Sequence, residues 1–336
     1  MDEQKKLLTV SASPHAKNSA STTRVMLDVI LALLPAGIMG VVWFGLRALL
    51  VIGVCVVCSV GFELVWTMLM KKPVTVGDLS AVVTGLLLAY NLPVGIPLWM
   101  CAVGSFAAIV VVKQFFGGLG QNFANPAITG RIILLVSFAG AMTKWTAPNV
   151  PDAVSGATPL GVLGSLPAKE AAAAIGGWTA DRSLPTLIEM LFGMRGGCIG
   201  ETCAAALLVG GVYLLIRRVI SWRIPVCYVG TVAVFMLIVS GFDLTYTAYE
   251  LLSGGLLLGA IFMATDYTTS PINKTGKIVF GVGCGVLTCV IRLYGSLPEG
   301  VSYSILLMNI VTPLIEKATM PKYFGKLKKK KEGKAA

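Results

Sequence analysis

Nine residues near the middle of the chain, Asp152-Ala-Val-Ser155-Gly156-Ala157-Thr158-Pro159-Leu160, hold its clearest chemical possibility. They lie in the one long break of an otherwise hydrophobic sequence, between about Lys144 and Pro185. The group on offer is the hydroxyl of Thr158, set between small residues and a proline. Gly156 and Ala157 let another surface approach closely. Pro159 keeps the backbone of Thr158 extended and disfavours helix there. A hydroxyl displayed in this way suits covalent modification, although the same composition also describes an ordinary Ser/Gly/Pro turn. The stretch has no His and no Cys, and its only acid is Asp152.

A second set of groups sits within or beside apolar runs, where ionisable side chains are costly and functional by default. Glu63 lies inside one such run, and Asp78 and Asp266 stand at the ends of two others. Thr265-Asp266-Tyr-Thr-Thr-Ser270 is rich in the oxygen ligands that a hard cation such as Na⁺ takes, or else caps a helix end. Asn125-Pro126 opens a helix, and Arg131 follows one turn later, where it suits a phosphate or an acidic partner. The single histidine, His15, lies in the polar N-terminal arm, so His-based acid–base chemistry has little support. Cys55 and Cys58 have CxxC spacing, but no second pair completes a metal site, and they read as small buried side chains. No P-loop and no strand-borne G-x-G-x-x-G occurs, which leaves nucleotide hydrolysis and a Rossmann site without support.

The elements that position these groups are membrane helices. Hydrophobic residues make up 56% of the 336 and charged residues only 13%, with a mean hydropathy of +0.82. A soluble domain could not hide that much apolar surface, whereas a bilayer removes the need. The net charge of +11 is concentrated at the ends of apolar runs and in the C-terminal tail. That is the pattern of membrane topology, so no nucleic-acid partner is expected. The sequence predicts an all-α polytopic membrane protein of about ten transmembrane helices. Residues 1–24 form an N-terminal arm with no cleaved signal peptide. Residues 25–142 hold spans 1–5, 143–198 a long loop with a short re-entrant piece near 184–192, and 199–318 spans 6–10. A basic tail, 319–336, closes the chain. Several spans fall short of the ~20 residues of a full crossing, so tilted or broken helices are expected.

The positive-inside rule puts both termini in the cytoplasm, with most of the 27 Lys and Arg on that side. The loop bearing Thr158 and the acidic stretch 242–250 then lie on the outer side. Thr84-Gly-Leu-Leu-Leu-Ala-Tyr90 resembles Gly254-Gly-Leu-Leu-Leu-Gly-Ala260, and Phe116-Gly-Gly-Leu before Asn125-Pro126 resembles Tyr294-Gly-Ser-Leu before Asn309 and Pro313. Five spans per repeat is an odd number, so the two repeats are expected to be inverted and to surround a site near the bilayer midplane.

Ser155-Gly-Ala-Thr-Pro-Leu160 in an outer loop, Asn125-Pro-Ala-Ile-Thr-Gly-Arg131 opening the preceding span, and the ten-span repeat together resemble RnfD, the D subunit of the Rnf ion-translocating ferredoxin:NAD⁺ oxidoreductase complex. They also resemble its relative, the B subunit of the Na⁺-translocating NADH:quinone reductase. The resemblance covers essentially the whole chain, and the short N-terminal arm favours the Rnf protein. It implies an FMN joined through a phosphoester to Thr158 by a flavin transferase, with Asp152, Ser155, Gly156 and Ala157 completing the acceptor motif. Asn125 and Arg131 are implied neighbours of a flavin, Arg131 through a flavin carbonyl or a phosphate, and a non-covalent riboflavin within the spans is a further implication. The chain would be a redox component of a translocase in a prokaryotic cytoplasmic (inner) membrane, without substrate chemistry of its own. Its partners would be the other Rnf proteins: RnfA, RnfB, RnfC, RnfE and RnfG. Electrons would reach Thr158 from the FMN of RnfG and return toward RnfC, driving Na⁺ or H⁺ movement. Asp266, Asp78 and Glu63 are the candidate ion path. The rival readings are an inverted-repeat secondary transporter or channel without a flavin, and a purely structural membrane component.

Overall fold

The computed structural model describes residues 21–146, 158–181, 183–295 and 299–320. Every regular element among them is helical. Helices α1 (Thr22–Phe44) and α2 (Leu46–Leu69) are joined at Gly45, whose φ of +70° permits the reversal. A single 3₁₀ turn leads into α3 (Ser80–Tyr90). The Asn91–Pro97 turn ends it, and α4 runs from Leu98 to Gln114. α5 (Pro126–Ser137) and the short α6 (Ala139–Met142) complete the first half. The polar insertion folds into α7 (Pro159–Leu163), α8 (Ala168–Ala180) and α9 (Leu187–Phe192). The second half holds α10 (Ala204–Ile216), α11 (Arg223–Val239), α12 (Leu244–Leu252), α13 (Leu256–Met263), α14 (Lys274–Tyr294) and α15 (Val301–Thr319).

Among the described residues, three helices, α1, α2 and α14, are long and apolar enough to cross a membrane alone. α12 and α13 would make a fourth span only as a pair bent by 64° at a short break. The remaining apolar helices α3, α4, α5, α10 and α11 have 10–17 residues each. An all-helical chain with many apolar helices is what the composition requires. Two segments depart from the sequence expectation. The run from Ile199 onward becomes helical only at Ala204, because Ile199 and Gly200 donate backbone hydrogen bonds to Leu92 and Tyr90 instead. The acidic stretch expected as an outer loop, 242–250, is mostly helix α12, started by Asp243, whose side chain accepts from the Tyr246 amide at 2.8 Å.

The packing is inside-out relative to a soluble protein. On α2 the buried stripe is Ala48, Val51, Cys55, Ser59, Glu63 and Thr67, small or polar residues at helical spacing. Leu50, Val57, Val65 and Met68 point outward and are exposed. Lipid tails are as apolar as leucine, so small residues on the inner face let backbones approach and large ones face the bilayer. Gly85 of α3 sits where a Cβ would lie 2.8 Å from the Val56 Cα, and Gly210 of α10 where a Cβ would lie 2.1 Å from the Ala32 carbonyl oxygen. Gly210→Ala is therefore expected to destabilise the α1–α10 contact by about 1–3 kcal/mol. The matched Gly53→Ala, whose Cβ meets no atom within 4 Å, is expected to be neutral or stabilising. Thermal unfolding of the two detergent-solubilised variants checks this, and equal midpoints would disprove close packing at Gly210.

Two helices carry π-turns, Ala107–Gln114 within α4 and Gly259–Met263 within α13. Such turns insert an extra residue and rotate the side chains that follow. Here they bring Lys113 and the end of α13 to one cavity.

Candidate functional site

Thr158 is the N-cap of α7. Its Oγ1 accepts a hydrogen bond from the Gly161 amide at 3.1 Å, and Pro159 occupies the first helical position. Its half-buried side chain lines a cavity of about 530 Å³, including the space at its mouth. Arg131, Trp145, Glu299, Ser302 and Tyr303 share the wall. Asp152, Ser155, Gly156 and Ala157 lie outside the described residues.

Arg131 reaches this cavity from α5. Asn125 starts that helix by accepting from the Ala127 and Ile128 amides at 3.0 and 3.3 Å, and its side-chain amide donates to the Met263 carbonyl of α13 at 3.2 Å. Asn125 thus holds the start of α5 against the π-turn of the other half. Arg131 is buried. It pairs with Glu299 and donates to Ser302 Oγ at 2.8 Å and Asn91 Oδ1 at 3.2 Å, while its Nε has no partner among the described residues. Of the partners the sequence offers it, the structure supplies the acid.

Beside this pair, Cys198, Glu201 and Glu299 bring a thiol and two carboxylates within 4.8 Å of one another. Glu201 Oε1 accepts from the Cys198 amide at 3.1 Å, and Arg131 lies 3.7 Å from the Cys198 sulfur. The guanidinium already stands where a cation would balance these acids. A second buried pair, Arg292–Glu250 at 2.8 Å, has Arg292 also donating to the Ser253 carbonyl at 3.1 Å, which secures the break between α12 and α13.

Of the three candidate ion-path acids, one lines another cavity, of about 810 Å³ including its open mouth, and two stand behind its wall. Asp266 lines it directly, with Asn122, Asn125 and Thr268 beside it and Ser80 and Lys113 on the facing wall. Asp266 accepts from the Thr268 amide at 3.2 Å and the Thr268 hydroxyl at 3.0 Å. It lies in the turn after α13, where burial pushes its carboxyl above the usual carboxylate range and the threonine bonds partly offset the rise. Glu63 and Asp78 lie one residue behind the facing wall. Lys113 Nζ donates to Glu63 Oε2 at 2.7 Å and to Ser80 Oγ at 2.6 Å, and the Ser80 hydroxyl donates to Asp78. Thr75 donates to the other Glu63 oxygen at 2.7 Å. The rest of the wall is apolar, from Val83, Leu87, Leu214 and Phe262.

Sequence reasoning missed Lys113, Ser80, Asn122, Glu299 and Ser302. Lys113 reads as one more cytoplasmic flanking cation. Its signal was its position within an apolar run, preceded by Ile109-Val-Val-Val112, with Glu63 available in another span. All eight cysteines are free; Cys55 is buried, in keeping with its reading as a small buried side chain, while Cys58 is only half-buried.

Comparison with known proteins agrees with this architecture. The chain is 49% identical over 330 residues to the D subunit of the Na(+)-translocating ferredoxin:NAD(+) oxidoreductase complex of Acetobacterium woodii, covering 98% of both chains. It is 44% identical to the D subunit of the proton-translocating ferredoxin:NAD(+) oxidoreductase complex of Clostridium ljungdahlii, over 96% of this chain and 97% of that one. The D subunit of the ion-translocating oxidoreductase complex of Stutzerimonas stutzeri is 36% identical over 91% and 93%. The profile of the NQR2, RnfD, RnfE family spans residues 9–325. The chain belongs to the NQR2, RnfD, RnfE family.

Proposed function

We propose that the chain is the covalently flavinylated, membrane-embedded electron-transfer component of an ion-translocating ferredoxin:NAD⁺ oxidoreductase. Family membership supports the complex. The observation that carries the flavin is Thr158, a half-buried hydroxyl at the end of the acceptor motif, on a cavity wall shared with Arg131. The residues present fit the group. Thr158 Oγ1 would be the anchoring atom of an FMN phosphoester, joined by a flavin transferase. The unpartnered Nε of Arg131 and the Ser302 hydroxyl offer donors to an anionic or carbonyl-bearing neighbour. Trp145 and Tyr303 give flat walls. A flavin there supplies one- and two-electron transfer, while the protein positions and tunes it.

The cavity around Asp266 suits a second, non-covalent flavin such as riboflavin. Its apolar walls match a ring system, and Asn122, Asn125 and Thr268 offer polar contacts at its rim. The same cavity brings Asp266 close to the Glu63–Lys113–Ser80–Asp78 chain, the candidate route for Na⁺ or H⁺. Two breaks support the inverted-repeat reading. α3 and its Asn91 turn in the first half resemble the α12–α13 break in the second, each beside an apolar Gly-Leu-Leu-Leu run. Ten spans, cytoplasmic termini and an outer Thr158 loop follow from that symmetry and the charge distribution. The partners would be RnfA, RnfB, RnfC, RnfE and RnfG.

The test is mass analysis of the Thr158 peptide from protein made with and without a flavin transferase. An FMN-sized adduct that requires the transferase is the expected result. No adduct under co-expression would move the weight to a flavin-free secondary transporter, which the cavity between broken helices also suits. Within the complex, Asp266→Asn is expected to lower ion translocation more than assembly. It keeps the acceptor oxygen for the Thr268 bonds and removes the charge. Unchanged ion dependence in proteoliposomes would return Asp266 to a turn-capping role.

A further inference from the structure

We propose that the α10–α11 face holds a specifically bound anionic phospholipid, with its phosphate at the basic turn 217–223 and one acyl chain in the groove below. The groove has an empty volume of about 830 Å³, including its open side, and a wholly apolar lining. Leu208, Val212 and Leu215 of α10 form one wall, and Pro225, Val229 and Gly230 of α11 the other. From Leu208 to Leu215 a helix rises about 10 Å, so the groove runs far enough along the helix to take part of a hydrocarbon chain. Its upper end meets the turn directly, because Leu215 and Ile220 flank Arg217 and Arg218, and Pro225 follows Arg223.

That turn is built for a phosphate at a membrane surface. Arg218 is exposed and sits at a φ of +57°, which sets it apart from the line of α10. Arg223 stacks over the exposed Trp222 ring, 5.2 Å from its centroid, so its guanidinium is held at interface height. Arg217 is tied to Asp28 at 3.2 Å and fixes the turn against α1. Of these three arginines, Arg217 therefore has its acid, while Arg218 and Arg223 present charge at the mouth of an uncharged groove. A single anionic headgroup with an attached acyl chain satisfies both ends at once. A free phosphate would leave the groove empty, and a partner's transmembrane helix would leave the arginines without an anion. Basic pockets between membrane helices recognise lipid headgroups by this combination of charge and apolar space.

Native mass spectrometry of the delipidated full-length chain, titrated with dioleoyl phosphatidylglycerol or dioleoyl phosphatidylcholine, tests the proposal. The expected result is preferential retention of one phosphatidylglycerol. Arg218→Ala/Arg223→Ala is expected to weaken it about thirtyfold. Gly230→Leu places a side chain in the groove from a position where a Cβ meets no atom within 4 Å, and is expected to remove retention with folding intact. Equal retention of both lipids overturns the proposal. So does loss in the arginine variant with full retention in Gly230→Leu, because that marks a surface charge effect without a groove. Release of a copurifying protein from Gly230→Leu, with phosphatidylglycerol retention unchanged, would give the groove to a partner helix.

Discussion

Thr158→Ala is expected to abolish covalent flavin on the chain while leaving membrane insertion intact. In-gel flavin fluorescence after denaturation, normalised to protein, should fall to background. The reason is chemical: alanine offers no oxygen for a phosphoester. The structural cost is small. Thr158 Oγ1 caps the five-residue α7 by accepting from Gly161, and losing such a cap costs about 1 kcal/mol. Thr158→Ser separates the two effects, since it keeps the cap and a hydroxyl. Full flavin in Thr158→Ser with none in Thr158→Ala isolates the acceptor atom. Normal fluorescence in Thr158→Ala would overturn the covalent assignment outright, and the weight would pass to a chain that binds flavin without a bond or not at all.

How far the sequence carried depended on whether a signal was local. The N-cap of α5 was legible because Asn125-Pro126 encodes it in two adjacent residues. The pairing of Arg131 was legible only as a set of options. Its partner, Glu299, lies 168 residues away, and nothing local tells a buried acid from a loop acid. Where a span breaks was not legible, for a related reason. Hydropathy is continuous across Leu251–Ala264, yet Ser253 and Gly254 break the helix there. Arg292 stabilises the break by taking the Ser253 carbonyl, and Gly254 adopts a φ of +62°. A hydrophobicity scan sees apolar residues and cannot see a carbonyl satisfied from another helix. The placing of Glu63 and Asp78 just behind the wall of the Asp266 cavity was also invisible. It rests on Lys113, whose burial depends on the π-turn of α4.

Lys113 therefore supports the second large prediction. Lys113→Met is expected to destabilise the detergent-solubilised protein by about 3–5 kcal/mol, the cost of leaving a buried charge without its partner. Glu63 has no exposed surface, and after the change only the Thr75 hydroxyl would face its carboxylate. Ser80 Oγ would also lose its lysine contact, so the link from Glu63 to Asp78 would open. Glu63→Gln should cost less, because the neutral amide still accepts from Lys113 while the ammonium keeps Ser80. The double variant Glu63→Gln/Lys113→Met removes both charges and should recover much of the loss, as buried pairs exchanged for uncharged groups often do. Thermal midpoints of all four proteins close the cycle. Additive losses would mean that the two charges do not meet inside the protein. A stable double variant then becomes the sharper functional probe. It is expected to keep the flavin on Thr158, which lines a different cavity, and to lose ion translocation if the Glu63 route carries the ion. Retained flavin with unimpaired translocation would reduce the Glu63–Lys113 pair to a structural tie between α2 and α4.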